Sequence, residues 1–442
     1  MALGGGTWST QNKVLPGTYI NVSGKARASA ALSERGIAAL PLRLDWGPED
    51  TVFAVTAQEC MENCLALFGH AYTDDEMLPL REVFQHASTL YAYRLESGGT
   101  KAGNDFCTAK YPGVAGNELS VVISINVDNE ELFDVSTYFR NTCVETQTVA
   151  NAEALKENAL VSFKADTALS ETAKTPLTGG TNGQAENSAY QEFLDKLEGY
   201  SFHVLGCPSE DAATISLFVH YTKRMRDEVG AKFQTVIYNL YGEERAADYE
   251  GIIAVGNTVA EADTMGKHAL VYWLTGAEAG CAVEKTCTNL RYDGELTVIA
   301  DHTQAELEKA VADGRLMLHN VNGEIRILDD CNALVTLSEE KTEDFRSNQT
   351  IRVCDQIAND VAVLFANRYL GVVPNDNAGR IALWNDICKL LEKLEAARAI
   401  ENFAPESVLV EEGQTKKAVL CTISGLQIVN AMAQLYMHVI VM

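Results

Sequence analysis

The end of the chain constrains its fold more than any other stretch. Residues 433–442 read "AQLYMHVIVM". In an extended strand Leu435, Met437, Val439 and Val441 fall on one face, and Tyr436, His438 and Ile440 on the other. Both faces are largely apolar, so the segment needs cover on two sides. Chain ends are ordinarily frayed and polar. An apolar strand here fits the inside of a sheet, either its own chain's or another's. The opposite end carries a second isolated strand. In "LPGTYINVSG", Pro16-Gly17 marks a turn, and Thr18, Tyr19, Ile20, Asn21 and Val22 follow with strand-like alternation.

Between these ends there is ample material for folded cores. The chain has 442 residues, enough for about three domains. Its hydrophobic fraction of 47% and charged fraction of 22% are those of globular protein rather than disordered chain. The net charge is −26, which argues against coating nucleic acid or an anionic membrane. It also makes like copies repel, so self-assembly must rest on specific contacts. Eleven cysteines, an odd number spread singly, read as small core residues of a protein made in a reducing cytoplasm. The start, "MALGGGTWSTQNKVLPG", has no basic segment followed by an apolar run, and no apolar stretch reaches the ~18 residues of a membrane helix. The expectation is a chain with neither signal peptide nor membrane insertion.

Changes in rhythm divide the chain. An N-terminal strand arm covers 1–25 and an N-terminal α/β segment 26–97, with a strand at "TVFAVT" and helices at "AQECMENCLALFG" and "DDEMLPLREVFQHAS". Short strand-like runs ("ELSVVISINV", "LFDVSTYF", "TCVETQTV", "ALVSFKA") predict an inserted β-sandwich or barrel over 98–186. Strands then alternate with helices over 187–335, which predicts a central α/β domain with a largely parallel sheet. It ends in a hairpin turning on Asn322-Gly323. A C-terminal α+β domain spans 336–432. Its two amphipathic helices carry the stripes Ile351, Cys354, Ile357, Ala358, Val361, Phe365, Tyr369 and Ile381, Trp384, Ile387, Leu391, Leu394. "ESVLV" and "KAVLCTIS" follow as strands, and 433–442 forms the C-terminal arm. The fold class is α/β (α+β overall) and multidomain.

Motifs for chemistry are thin. There is no G-x-S-x-G elbow and no H-E-x-x-H. Cys60 and Cys64 stand at i, i+4 with His70 nearby, but a metal site asks for more ligands at tight spacing, so they read as packed thiols. Gly266-Lys267-His268 lacks the hydroxyl and the spacing of a phosphate loop. No catalytic, cofactor-binding or metal-ligating residue is assigned. One alternative is a soluble enzyme with a doubly wound α/β domain and an accessory β domain, supported by the alternation over 189–300. Two orphan strands favour an assembling subunit instead. In a third arrangement both termini pair within their own chain.

Several stretches resemble the contractile tail sheath proteins of bacteriophages and phage-tail-like bacteriocins, in their Gram-positive type. They are "GGTWSTQNKVLPGTYINV", "YEGIIAVGN", "YWLTGAEAG", the long run from "EEKTEDFRSNQTIRV" to "GRIALWNDI", and "AMAQLYMHVIVM". The resemblance covers both ends and most of 190–442, and reaches 100–185 by position. It implies a structural subunit, not an enzyme and without a cofactor, that polymerises around an inner tube. Thr18–Val22 and Leu435–Val441 would each donate a strand to a neighbour's sheet, with "ESVLV" and "KAVLCTIS" as the receiving sheet. Contraction would drive the tube through a bacterial envelope. The implied partners are further copies of the chain, the tube protein, and baseplate and terminator or collar proteins, with no nucleic acid. The product would be a virion tail or a bacteriocin (tailocin) particle released by lysis. The resemblance also implies a helix that touches the tube. Lys389, Lys393 and Arg398, basic residues in an acidic chain, are candidates for that contact, against the alternative of a solvated helix face with ordinary charge pairs.

Overall fold

The computed structural model describes residues 32–185 and 187–441. The strand expected at Thr18–Val22, with the rest of the 1–25 arm, lies outside them. Residues 37–94 supply β1 (Ile37–Leu42), β2 (Val52–Thr56), helices α1 (Ala57–Phe68) and α2 (Leu78–Val83), and β3 (Thr89–Arg94). An insertion follows with β4 (Cys107–Ala109), β5 (Leu119–Ile125), β6 (Phe133–Phe139), β7 (Thr142–Val149), β8 (Val161–Phe163) and β9 (Thr172–Pro176). The chain returns through α3 (Asn187–Leu197), β10 (Val204–Cys207), α4 (Ala212–Arg224), β11 (Gln234–Tyr238), β12 (Ile252–Val255), α5 (Ala262–Met265), α6 (Leu270–Gly280), α7 (Gln304–Ala312) and β13 (Arg315–Leu316). The hairpin β14 (Leu318–Val321) and β15 (Glu324–Ile327) ends this part. Last come α8 (Asn348–Arg368), α9 (Asn377–Ala396), β16 (Ile400–Glu401), β17 (Val408–Glu412), β18 (Val419–Ile423) and β19 (Gln427–Ile428).

Seven strands form one sheet in the order β13-β12-β11-β10-β1-β3-β2, parallel throughout except for β2, which runs against β3. The segments before and after the insertion therefore share a sheet, and β1 joins them by pairing Ala38 with Val204 and Ala39 with Leu205. Nothing local in the sequence marks a pairing across so long a gap. Both faces are covered, which is why "IAALPL", "VLGC" and "IIAV" read as continuous apolar runs. One face packs Ala38, Leu40 and Val236 under α2 and α6, and the other packs Ala39, Leu205 and Ile237 under α3 and α4. From Leu270 to Ala279 every residue of α6 is buried. It lies so close to α2 that a Cβ on Gly276 would stand 2.2 Å from the Val83 carbonyl.

The insertion has its own core, including Val121, Ile123, Val135 and Val161. Its main sheet runs β7-β6-β5-β9, beside the pair β4-β8. β9 went unread in the sequence because it is a polar edge strand ending in Pro176, a place where a missing N–H is tolerated. Bridges between Ser97 and Gln184 and between Thr100 and Thr181 close the stem. The β14–β15 turn uses Asn322 and Gly323 at φ 54° and 90°, as two-residue hairpins require. In the C-terminal part α8 packs on α9, and the β17–β18 hairpin lies against α9. After β19 the chain continues to residue 441 without joining any sheet.

Candidate assembly surfaces

The root of the C-terminal arm is clamped. Val429 N–H donates to the Ala399 carbonyl at 3.0 Å, and Ile428 pairs with Ile400. From α8, Gln349 Nε2 donates to the Val429 carbonyl at 3.1 Å, and Gln349 Oε1 accepts from Ala431 N–H at 3.0 Å. Beyond that point the arm leaves the body. Leu435 is 85% exposed, Tyr436 87%, Ile440 78% and Val441 88%, with Met437, His438 and Val439 exposed beside them. Residues 433–441 carry no carboxylate, lysine or arginine. In a chain of charge −26, such a segment can approach another copy without adding repulsion.

The receiving candidate lies a few residues upstream. β17 and β18 pair from Val408↔Ile423 to Glu412↔Val419 and have no further strand neighbour among the described residues. One face is fixed to α9, with Val408 buried and its carbonyl accepting from Trp384 Nε1–H at 2.9 Å. The other face shows Leu409 and Leu420, about half exposed. Apart from the Val408 carbonyl held by Trp384, the outer edges have no strand partner among the described residues and, backed by a helix, form a template for added strands.

The described N-terminal lead, residues 32–36, fastens to α8 and to the residue that follows α6. The Ser33 hydroxyl donates to Asp360 Oδ1 at 2.6 Å and accepts from Gln356 Nε2 at 2.8 Å, and Arg35 Nε donates to the Cys281 carbonyl at 2.8 Å. α8 thus holds the roots of both arms. It is joined to the sheet body by buried charges that sequence periodicity assigns to solvent. Arg226 makes a two-pronged contact with Asp355 at 2.6 and 2.8 Å. Arg352, fully buried, reaches Glu278 Oε2 at 2.5 Å, Asp330 Oδ2 at 3.3 Å and the Lys285 carbonyl at 2.7 Å. Burial works against the Arg352 charge, but Glu278 and Asp330 outweigh it and hold its pKa above the ordinary value. Burial would also raise Asp330, yet Arg352 and donors from Cys287 N–H and Asn348 keep it below the usual carboxylate value. Glu278 is driven well above its normal value by burial and by the neighbouring Asp330 charge. Two buried carboxyl groups thus share one guanidinium, and burial beside a like charge favours proton uptake at Glu278.

The three basic candidates do not share one helical face. Lys389 and Lys393 are exposed on α9, with Lys389 Nζ 3.7 Å from Asp386 Oδ1. Arg398 lies past the end of α9, in a turn at φ 64°.

Family models match almost end to end and in order. "Tail sheath protein Gp18 domain III N-terminal region" matches 35–95 and "Phage tail sheath protein beta-sandwich domain" matches 97–182. "Phage tail sheath protein central domain" covers 183–333 and "Phage tail sheath C-terminal domain" 340–442. The crystal structure of a sheath tail protein from Listeria innocua superposes with a TM-score of 0.78 at 31% identity, over 90% of this chain and 93% of that one. The chain belongs to the phage tail sheath family. A Bacillus subtilis relative, the phage-like element PBSX protein XkdK, is 29% identical over 99% of both chains. The helical sheath of the anti-feeding prophage, solved in its contracted state, shares the fold at 14% identity, with a TM-score of 0.56 over 97% of this chain and 99% of that one. The strand-helix alternation that also suited a doubly wound enzyme belongs to the body of a contractile tail sheath subunit.

Proposed function

We propose that this sheath subunit polymerises by exchanging its terminal arms. Leu435–Val441 of one copy adds to an open edge of the β17–β18 hairpin of a neighbour, and Thr18–Val22 takes a corresponding place. The observation that carries this reading is the arm itself: uncharged, apolar on both faces, clamped at Val429–Ala431 and unpaired with its own chain. Burying side chains such as Leu435, Tyr436 and Ile440 contributes about 1.5–3 kcal/mol each before ordering costs. Main-chain pairing sets register, and alternate side chains give specificity.

The sheath would surround an inner tube, with baseplate and terminator proteins at its ends, and contraction would push the tube through a bacterial envelope. Energy would come from tighter packing between subunits. Lys389 and Lys393 remain proposed tube contacts. The subunit would be made in the bacterial cytoplasm and leave by lysis as part of a virion tail or a tailocin. The division into arms, N-terminal segment, inserted sandwich, central domain and C-terminal domain is likewise part of this reading.

The test is electron microscopy of the full chain beside a version ending at Ala433. The proposal expects hollow tubes from the first and folded, unassembled subunits from the second. Tubes from the truncated chain would show that residues 434–442 do not join neighbours.

A further inference from the structure

We propose that His70, Asp74 and Glu76 form a binding site for a borderline divalent transition-metal ion such as Zn²⁺. The three present one ligand atom each, His70 Nδ1 and two carboxylate oxygens, all within 4.8 Å of one another. The His70 side chain is only 7% exposed. Its Nε2 lies 2.7 Å from Asp45 Oδ1, a partner for a ring N–H there, which makes Nδ1 the ring nitrogen able to ligate. Nδ1 is buried and has no hydrogen-bond partner. It faces Asp74 Oδ2 at 3.9 Å and Glu76 Oε2 at 3.8 Å. Burial works against a charge on the ring, but Asp45, Glu76 and Asp74 outweigh it and raise the His70 pKa, so the site attracts positive charge. Ligand atoms at about 2.0–2.2 Å from a tetrahedral ion lie roughly 3.3–3.6 Å apart, so the two contacts to His70 need close by only a few tenths of an ångström.

The surroundings fit a built site. Gly69 ends α1 at φ 73°, with no room for a side chain against Trp46, and so turns His70 inward. Arg81 Nη1 donates to the carbonyls of Tyr72 and Asp74, both at 2.7 Å, and holds the loop backbone. A carboxylate bound to the far nitrogen of a ligating histidine is the common supporting arrangement, and Asp45 supplies it. One imidazole with two carboxylates and room for water favours zinc-like ions over calcium or magnesium, which prefer all-oxygen shells. Asp74 Oδ2 also accepts from Ala71 N–H at 3.1 Å and lies 3.4 Å from Arg140 of the turn between β6 and β7, so it would meet the ion already oriented and shared with that cation. The second compact set, Glu278, Cys287 and Asp330, is different, because the Arg352 guanidinium already lies between its carboxylates.

The experiment is calorimetric titration of the full-length protein with Zn²⁺, repeated for Glu76→Ala and His70→Gln, with Co²⁺ spectroscopy. We expect one ion per chain, reversed by chelator, and affinity at least tenfold lower in both variants. Glu76 is more than half exposed, so its loss leaves the metal-free melting temperature unchanged and separates lost binding from lost folding. The Co²⁺ adduct lacks intense thiolate charge-transfer absorption. Absence of stoichiometric binding, equal affinity in Glu76→Ala, or a thiolate band pointing to the cysteines would each overturn the assignment. None of these outcomes bears on strand exchange.

Discussion

Replacing Arg352 by Met tests how α8 is held to the body. The guanidinium lies among Glu278, Asp330 and the Lys285 carbonyl, with no solvent access. Methionine fills similar space but leaves the buried carboxyl groups of Glu278 and Asp330 without a counter-charge. Breaking a buried pair from one side costs about 3–5 kcal/mol, roughly two to three and a half powers of ten in the folded ratio at 1.4 kcal/mol per decade. Glu278→Gln probes the same cluster differently. The amide keeps an acceptor toward Arg352 and removes one of two neighbouring acids, while Asp330 still faces the guanidinium, and the cost stays under about 1.5 kcal/mol. The assay is urea unfolding at neutral pH of chains ending at Ala433, followed by fluorescence of Trp273, which is buried on α6 five residues before Glu278. A cost under about 1 kcal/mol for Arg352→Met, or equal costs for the two variants, would refute the role of Arg352 as the counter-charge of the cluster.

Two other outcomes follow from the body of the fold. His203 Nδ1 accepts from Ile37 N–H at 3.2 Å, and burial, with Arg35 nearby, lowers its pKa to about 3. The unfolded histidine takes a proton near pH 6.5 and the folded one only near pH 3. Stability should therefore fall as pH drops through that window, by at most about 1.4 kcal/mol per unit. His203→Gln, which keeps an acceptor, should show a flatter urea-midpoint profile than the native chain, and parallel profiles would exclude the effect. Excising 98–182 and joining the ends with a short glycine linker should leave a folded body, since the insertion has a core of its own and a stem closed by Ser97 and Gln184. Circular dichroism and a cooperative melt would check this, and loss of cooperativity would mean that Trp46, packed on Tyr111 of the insertion, is indispensable to the body.

What could be read in advance was what neighbours in sequence decide. The two-sided apolar runs of the sheet, the Asn322-Gly323 turn, the stripe of α8 and that of α9 from Ile387 to Leu394 each follow from a few adjacent residues. Ile381, expected on the α9 stripe, is instead about half exposed, because it lies in the first turns of the helix, ahead of the hairpin-covered part. The partnership of β1 with β10 does not follow from adjacent residues, because the insertion separates strands whose registers match only in space. The same holds for the polar side of α8. Arg352, Asp355, Gln356 and Asp360 have the spacing of a solvent face, but their partners come from Glu278 and Asp330, Arg226, and Ser33. His70 looked close to Cys60 and Cys64 along the chain. The turn at Gly69 and the loop behind it instead bring it to Asp45, Asp74 and Glu76. One overlooked signal was available: Thr56-x-x-Glu59 and Thr303-x-x-Glu306 are capping boxes that mark the starts of α1 and α7.

The position of the arm roots bears on how a sheath moves without coming apart. Both are bonded to α8, the C-terminal one at Gln349 and Thr350 and the N-terminal one at Gln356 and Asp360. Ten residues of helix span about 15 Å, so a pull on either arm enters the subunit along one short rigid rod. That rod is tied to the sheet body by Arg226–Asp355 and by Arg352 with its two carboxylates. Buried pairs are screened little by salt and resist being parted far more than surface pairs do. The C-terminal arm beyond its root is largely exposed among the described residues, so its own body opposes little rotation about it. Strand exchange and contraction are then compatible for a physical reason. Compliance resides in residues with no partners at home, stiffness resides in charges that cannot reach water, and α8 is where the two meet.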